Sequence, residues 1–313
     1  MFKKMQKYLL YLLIIMLCGC SNSSSNNKVK NYRDNTPHIY ENESPKEITI
    51  GNDSVTIDLT DTSKGYVMVE YLGTNAKVKV RITLPNQEDP YTYDKHAGNE
   101  AFPLTGGNGT YKIQIFENVS DNKYSTLFSQ EFDVQLENEF DPFLYPSQYV
   151  NYNKNTRAID VAKQIVEKAT DDLDAVTKIY HYTINTISYD DQKADQVKDG
   201  SLKGYLPDVD KTLETKKGIC FDYAALMATM LRTQNIPTRL EIGYAKNEED
   251  IEKSIYHAWI SVYIDQIGWI DNYIEFDGHS WKIMDPTFAA GNQDKKTKNY
   301  ITNQDNYQTK YLY

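Results

Sequence analysis

From residue 46 to about 138 apolar side chains recur at every second position, whereas from about 156 onward they recur at intervals of three and four. A strand shows alternate faces and a helix shows one stripe, so the chain must fold as two successive architectures. In the first stretch "SVTIDLT" alternates Val55, Ile57 and Leu59, and "KVKVRITL" alternates Val78, Val80, Ile82 and Leu84. "TYKIQIF" alternates Tyr111, Ile113 and Ile115, and "EFDVQL" alternates Phe132, Val134 and Leu136. Turn residues separate these runs at Gly51 to Asp53, Asp61 to Gly65, Gly73 to Asn75 and Gly106 to Gly109. About seven short strands without a helical period predict an antiparallel β-sandwich of immunoglobulin-like type over residues 46–138. No titratable cluster stands out in it, which leaves spacing or binding as its role.

Residues 139–155, with two prolines, many polar side chains and no steady period, read as a linker. Beyond it "TRAIDVAKQIVEKA" places Ile159, Ala162, Ile165, Val166 and Ala169 on one helical face. A second helix with Leu173, Val176, Ile179, Tyr180, Thr183 and Ile184 follows a cap at Asp171. Residues 218–232, "GICFDYAALMATMLR", are apolar nearly all round, the mark of a buried helix, with Cys220 at its N-terminal end. Strand-like segments come next at 238–244, 257–264 and 279–287, the last preceded by the hairpin signal Asp277-Gly278. Helices first and strands after predict an α+β domain over 156–313, with the cysteine helix packed on an antiparallel sheet.

At the N-terminus Lys3, Lys4 and Lys7 precede a ten-residue apolar run, Tyr8 to Leu17, and then Leu17-Cys18-Gly19-Cys20. Spanning a bilayer takes about 20 residues as a helix, so the run reads as a removable signal rather than an anchor. Its Leu-Cys-Gly-Cys end resembles a bacterial lipobox; the alternative is an ordinary secretory signal. The resemblance implies a signal peptide over 1–19, a lipid on Cys20 and a flexible tether over 20–45, which begins "CSNSSSNNK". The expected location is then the extracellular face of a bacterial cell membrane. Without residues 1–19 the chain holds 31 basic against 44 acidic residues, a poor surface for nucleic acid.

Of three cysteines, two fall at the signal end, so Cys220 is left without an intramolecular disulfide partner. A buried-helix cysteine is often plain core. A thiol at a helix start, however, faces unpaired N–H groups and the positive end of the helix dipole, a setting that favours thiolate. Such a nucleophile needs a base and the base an orienting acceptor. Among five histidines, His38, His96, His181 and His279 have ordinary surface readings. His257 opens "HAWISVYI" on the face opposite Ala258, Ile260, Val262 and Ile264. Asp285, in "WKIMDPTF", stands at a strand end that Pro286 fixes; the rival reading is an Asp-Pro turn starter.

Together "GICFDYAALMATMLRTQNIPTRLEIGY", "HAWISVY" and "WKIMDPTF", with the earlier "ISYD" at 187–190, resemble the transglutaminase-like superfamily of papain-type thiol enzymes. The closing "GWIDNYIEFDGHSWKIMDPTF" and "YQTKYLY" look similar to surface lipoproteins of Gram-positive bacteria that carry this domain. The resemblance implies Cys220 as nucleophile, His257 as general base and acid, and Asp285 as orienter of His257. An oxyanion formed in the reaction needs donors, for which the Cys220 backbone N–H and the side chains of Tyr189 and Tyr205 are candidates.

The chain carries no calcium loop of the Asp-x-Asp-x-Asp-Gly kind, no His-Glu-x-x-His and no cysteine pair outside the signal. Calcium-dependent cross-linking therefore does not carry over, and the reading calls for no cofactor and no metal. The 28 residues from His257 to Asp285 leave room for a hairpin bordering the substrate cleft. The function expected is acyl chemistry on the amide of a protein or cell-wall peptide through a cysteine thioester, resolved by water or by an amine. The alternatives are a catalytically silent binding or scaffold lipoprotein, and an adhesin acting through the sandwich.

Overall fold

Alternation in the first stretch produces eight strands. These are β1 (Thr49–Asn52), β2 (Val55–Asp58), β3 (Tyr66–Tyr71), β4 (Val78–Thr83), β5 (Tyr91–Lys95), β6 (Asn99–Pro103), β7 (Gly109–Ser120) and β8 (Lys123–Val134). They pair antiparallel throughout as two sheets, in the orders β1-β2-β3-β6 and β5-β4-β7-β8. Val78, Val80 and Ile82 of β4 and Tyr91 and Tyr93 of β5 are buried, while Thr92 and Asp94 point out. The computed structural model describes residues 31–87, 89–246 and 254–313. The expected signal, Cys20 and the tether up to residue 30 lie outside the described residues.

The helical stretch yields α1 (Arg157–Val166), α2 (Asp172–Thr186), α3 (Asp191–Lys198), α4 (Val209–Thr215) and α5 (Cys220–Arg232). A two-stranded parallel pair, β9 (Ser188–Tyr189) with β10 (Lys217–Gly218), brings the end of α2 beside the start of α5. The Asp171 carboxylate caps α2 by accepting from Asp174 N at 2.8 Å. Asp210, in α4, accepts from the N–H groups of Arg157 and Ala158 at 3.0 and 3.1 Å, supplying α1 with a cap from another helix.

After α5 come β11 (Thr238–Lys246), β12 (Ser254–Val262), a hairpin of β13 (Ile267–Ile270) and β14 (Ile274–Asp277), and β15 (Lys282–Met284). Short helices α6 (Pro286–Gly291) and α7 (Lys295–Thr302) precede the last strand, β16 (Tyr307–Leu312). The sheet order is β15-β12-β11-β16, antiparallel at every pairing. This is the α+β arrangement the sequence predicts, with β12 central and α5 buried against it. Among the described residues no helix is long and apolar enough to cross a membrane.

Four expectations are corrected. Residues 32–45, expected as part of a flexible tether, lie docked along the body. Arg33 N donates to Ala169 O at 3.0 Å, its guanidinium pairs with Asp172 at 3.1 Å, and His38 N donates to Thr233 O at 2.9 Å. Further along, Asn42 Nδ2 donates to Pro146 O and Ser44 Oγ to Asp58, each at 2.9 Å. Polar composition argues against a core of its own, but backbone and polar side chains here find partners on a core built by others. The linker over 139–155 is likewise packed: Phe143, Leu144, Val150 and Tyr152 are buried, and Gln148 Nε2 donates to Asp94 O at 2.7 Å.

The strand expected over 279–287 shrinks to β15. Asp277 Oδ1 accepts from His279 N at 3.0 Å and Ser280 N at 3.2 Å, so residues 277–280 turn, while Pro286 begins a helix. The hairpin between His257 and Asp285 exists, but it packs on α2 rather than bordering the cleft. Leu173 lies where a Cβ on Gly268 would fall, and the Tyr273 and Tyr180 hydroxyls meet at 2.6 Å.

Residues 32–313 form one compact unit. Arg232, the last residue of α5, fixes the cysteine helix within it. The guanidinium is fully buried and donates to three carbonyls: Thr238 O at 2.9 Å, and Tyr145 O and Tyr313 O at 2.8 Å. Burial pulls its pKa down to about 10, above any physiological pH, so the donors stay in place. Arg232→Met takes one donor from each of these carbonyls, of which Tyr313 O keeps Leu240 N, and should cost about 3 kcal/mol. A lower urea midpoint with unchanged m-value would show it.

Candidate active site

Three elements converge at the start of α5. Cys220 is the first residue of that helix, where backbone N–H groups lack intrahelical partners, and its thiol is half-buried. The helix start is held by Asp222, whose carboxylate reaches back to accept from Ile219 N at 2.8 Å. Gly218 makes this possible: a Cβ there would lie 2.6 Å from the Cβ of Asp222. Asp222 itself is fully buried, and it also accepts from Lys193 Nζ at 2.9 Å and from the Tyr205 hydroxyl.

His257 sits inside β12, opposite Gly243 of β11, and not at the strand's opening as expected. Its ring is stacked on Phe288 at 4.6 Å and 18° and lies 6.1 Å from Trp259 at 23°, so its plane runs nearly parallel to both neighbours. Nε2 meets Asp285 Oδ2 at 2.7 Å. That leaves Nδ1 as the nitrogen for the thiol.

Asp285 is fully buried and every contact it makes is accounted for. Oδ1 accepts from Thr287 N and Phe288 N, both at 3.1 Å, capping α6; Oδ2 accepts from His257 and from the Tyr307 hydroxyl at 3.1 Å. Asp285 thus makes its turn contacts through one oxygen and its contact with the imidazole through the other. Burial alone would depress the His257 pKa. The Asp285 charge and hydrogen bond, joined by a hydrogen bond and charge from Cys220, outweigh it and carry the imidazole up to about 10.

Cys220 and His257 line a cleft of about 510 Å³, and His257 also lines a second groove of about 340 Å³ with Tyr189, Thr287 and Phe288. Of the two side-chain oxyanion candidates, Tyr189 is beside the site: burial and then the Cys220 charge raise its pKa to about 12. Tyr205 also lines the cleft, but its hydroxyl is already given to Asp222, which removes it as an oxyanion donor. His38, His96, His181 and His279 lie elsewhere, on other partners or the surface. Among the described residues no group of three or more His, Cys, Asp or Glu side chains is placed to hold a metal ion.

Residues 159–274 match the family model of the transglutaminase-like superfamily. This segment is a transglutaminase-like domain. Cys220 and His257 fall within the match, while Asp285 lies beyond it and joins the site through geometry. The UPF0252 protein MJ1282 of Methanocaldococcus jannaschii is 26% identical over 204 residues, 60% of this chain and 56% of that protein. The chain thus spans little more than half the length of that relative. Two solved structures are more distantly similar. A Cytophaga hutchinsonii protein solved as a candidate cysteine protease has 16% identity and a TM-score of 0.40, covering 85% of this chain and 74% of that one. Red sea bream transglutaminase has 12% identity and a TM-score of 0.31, covering 76% and 53%. No site assignment rests on either likeness. The transglutaminase-like domain, with a free thiol beside an Asp-held imidazole, supports a cysteine enzyme of this superfamily.

Sequence reasoning missed Phe288, Tyr307, Lys193 and Asp222. Only Asp222 carried a local signal, an acid three residues past Ile219 at the start of an apolar helix. The raised His257 pKa gives a test. Its contribution to stability is fully present below the ordinary value of about 6.5 and is lost as pH rises through about 10. In Cys220→Ala, nitrogen NMR should find His257 still protonated at about pH 8, and Cys220→Ala/Asp285→Asn should find it neutral there.

Proposed function

We propose that the protein is a thiol acyl enzyme that opens amide bonds through a thioester on Cys220, working on protein or cell-wall peptide substrates at the extracellular face of a bacterial membrane. The lipid on Cys20 would hold it there. The observation that carries the chemistry is the succession of Cys220 at a helix start, His257 beside it and Asp285 behind it, opening on a cleft.

The steps balance without a cofactor. With the thiol's proton already held on His257 Nδ1, Sγ attacks the amide carbonyl as the Cys220 backbone N–H, with Tyr189 at hand, meets the developing oxyanion. The C–N bond breaks and the imidazolium gives its proton to the departing amine, leaving the thioester. Water then adds to the thioester carbonyl as His257 takes its proton. The C–S bond breaks, and the proton returns to the thiol pair. An amine in place of water would give transamidation by the same steps. We favour hydrolysis, because the sequence carries no calcium loop to regulate transfer and no recognisable amine site.

Iodoacetamide should alkylate Cys220 at about pH 6, well below where a free thiol with a pKa of about 8.5 reacts readily, and His257→Ala should lose that reactivity at least tenfold. Labelling confined to alkaline pH in both proteins would remove the enzymatic reading. A primary amine added during turnover separates the two outcomes: hydrolysis predicts free acid as the main product by mass, and an amide adduct would instead assign transfer.

A further inference from the structure

The cleft holding Cys220 is completed by residues from outside the matched segment. Tyr149 comes from the connector after the sandwich, Tyr311 and Tyr313 from the end of the chain, and Thr92 from β5 of the sandwich itself. β5 is the edge strand of its sheet, and Thr92 faces outward between the buried Tyr91 and Tyr93. The sandwich is fixed at this place by direct contacts. Leu312 N donates to the Tyr91 hydroxyl at 2.9 Å, and Thr105 Oγ1 donates to Leu312 O at 3.0 Å. The Tyr149 ring meets Tyr313 at 4.3 Å, Phe221 at 5.4 Å and Tyr93 at 5.9 Å, so one aromatic cluster joins sandwich, connector and nucleophile helix.

The lining is predominantly apolar, and not all of its polar ends are free. The Tyr205 hydroxyl is bonded to Asp222, and the Tyr149 and Tyr313 rings pack on each other at 4.3 Å. What the cleft offers is mainly ring faces with Ile219, Ile242 and Leu202 between them, with Lys203, Thr92 and the Tyr256 and Tyr311 hydroxyls as its remaining polar members. A sugar or a charged group would need a row of free donors and acceptors; an apolar side chain needs only this surface. The second groove reaches His257 but not Cys220. Since the acyl carbon bonds to sulfur while the amine takes its proton from the imidazole, the cleft at Cys220 belongs to the acyl side.

We infer that the sandwich is one wall of the substrate site, and that the cleft takes a bulky aromatic or aliphatic side chain on the acyl side of the amide. The inference rests on the reading of Cys220 as nucleophile given above. It is tested on the full chain with acetyl-Phe, acetyl-Ala and acetyl-Glu chloromethyl ketones, each carrying its side chain on the carbon beside the ketone whose methylene alkylates sulfur with loss of chloride. Reaction is followed by mass on the peptide containing Cys220, and every rate is divided by the iodoacetamide rate of the same protein. The Phe probe should exceed the Ala and Glu probes about tenfold or more, and Thr92→Trp should reduce that advantage at least tenfold. A Phe probe no faster than Ala, or a selectivity untouched by Thr92→Trp, overturns the inference while iodoacetamide still labels Cys220. If iodoacetamide itself fails near neutral pH, the nucleophile reading falls and this inference with it.

Discussion

The site depends on one buried carboxylate. Asp285 lies out of water between a strand and a short helix, and its burial is tolerable because each oxygen receives two donors: backbone N–H groups of α6 on one, His257 and Tyr307 on the other. From that follow the orientation of the imidazole, the assignment of Nδ1 to the thiol, and a His257 proton held far more tightly than in water. The same acid begins α6, whose Phe288 returns to stack on His257. Capping and positioning are thus one arrangement.

The helix that begins at Cys220 is fixed by an equally local device at one end and a long-range one at the other. Gly218 lets Asp222 close on Ile219 N at the start of α5, while Arg232 ties the far end to the connector and to Tyr313 just past the last strand. Lys193 and Tyr205, which hold Asp222, lie in the segment between β9 and α4 that also lines the cleft. The carboxylate two residues from the thiol therefore joins the helix start to part of the cleft wall.

Much of this was legible in the sequence, and the reasons differ by residue. Cys220 was readable because an all-apolar helix with a glycine and a thiol at its start is a local pattern. His257 and Asp285 were readable because alternation placed one in a strand and Pro286 ended another. Tyr307 and Phe288 were not, since their roles arise when β16 and α6 meet β12, and no period within either segment reports that meeting. Docking of residues 32–45 and of the connector escaped for a related reason: polar, Asn-rich sequence denies a private core but says nothing of attachment to a neighbour's. Nor does a period of two tell whether the outer face of an edge strand meets solvent or, as with Thr92, a cleft.

The central claim is that Cys220 carries an acyl group during turnover. Acid quenching in the first turnovers with an activated acyl-phenylalanine ester, followed by mass analysis of intact protein and of the Cys220 peptide, tests it most directly. A mass gain of one acyl group at Cys220, removed by hydroxylamine and missing in Cys220→Ala, is the result this account predicts. Product formation with no adduct at Cys220, or turnover that survives in Cys220→Ala, would contradict it.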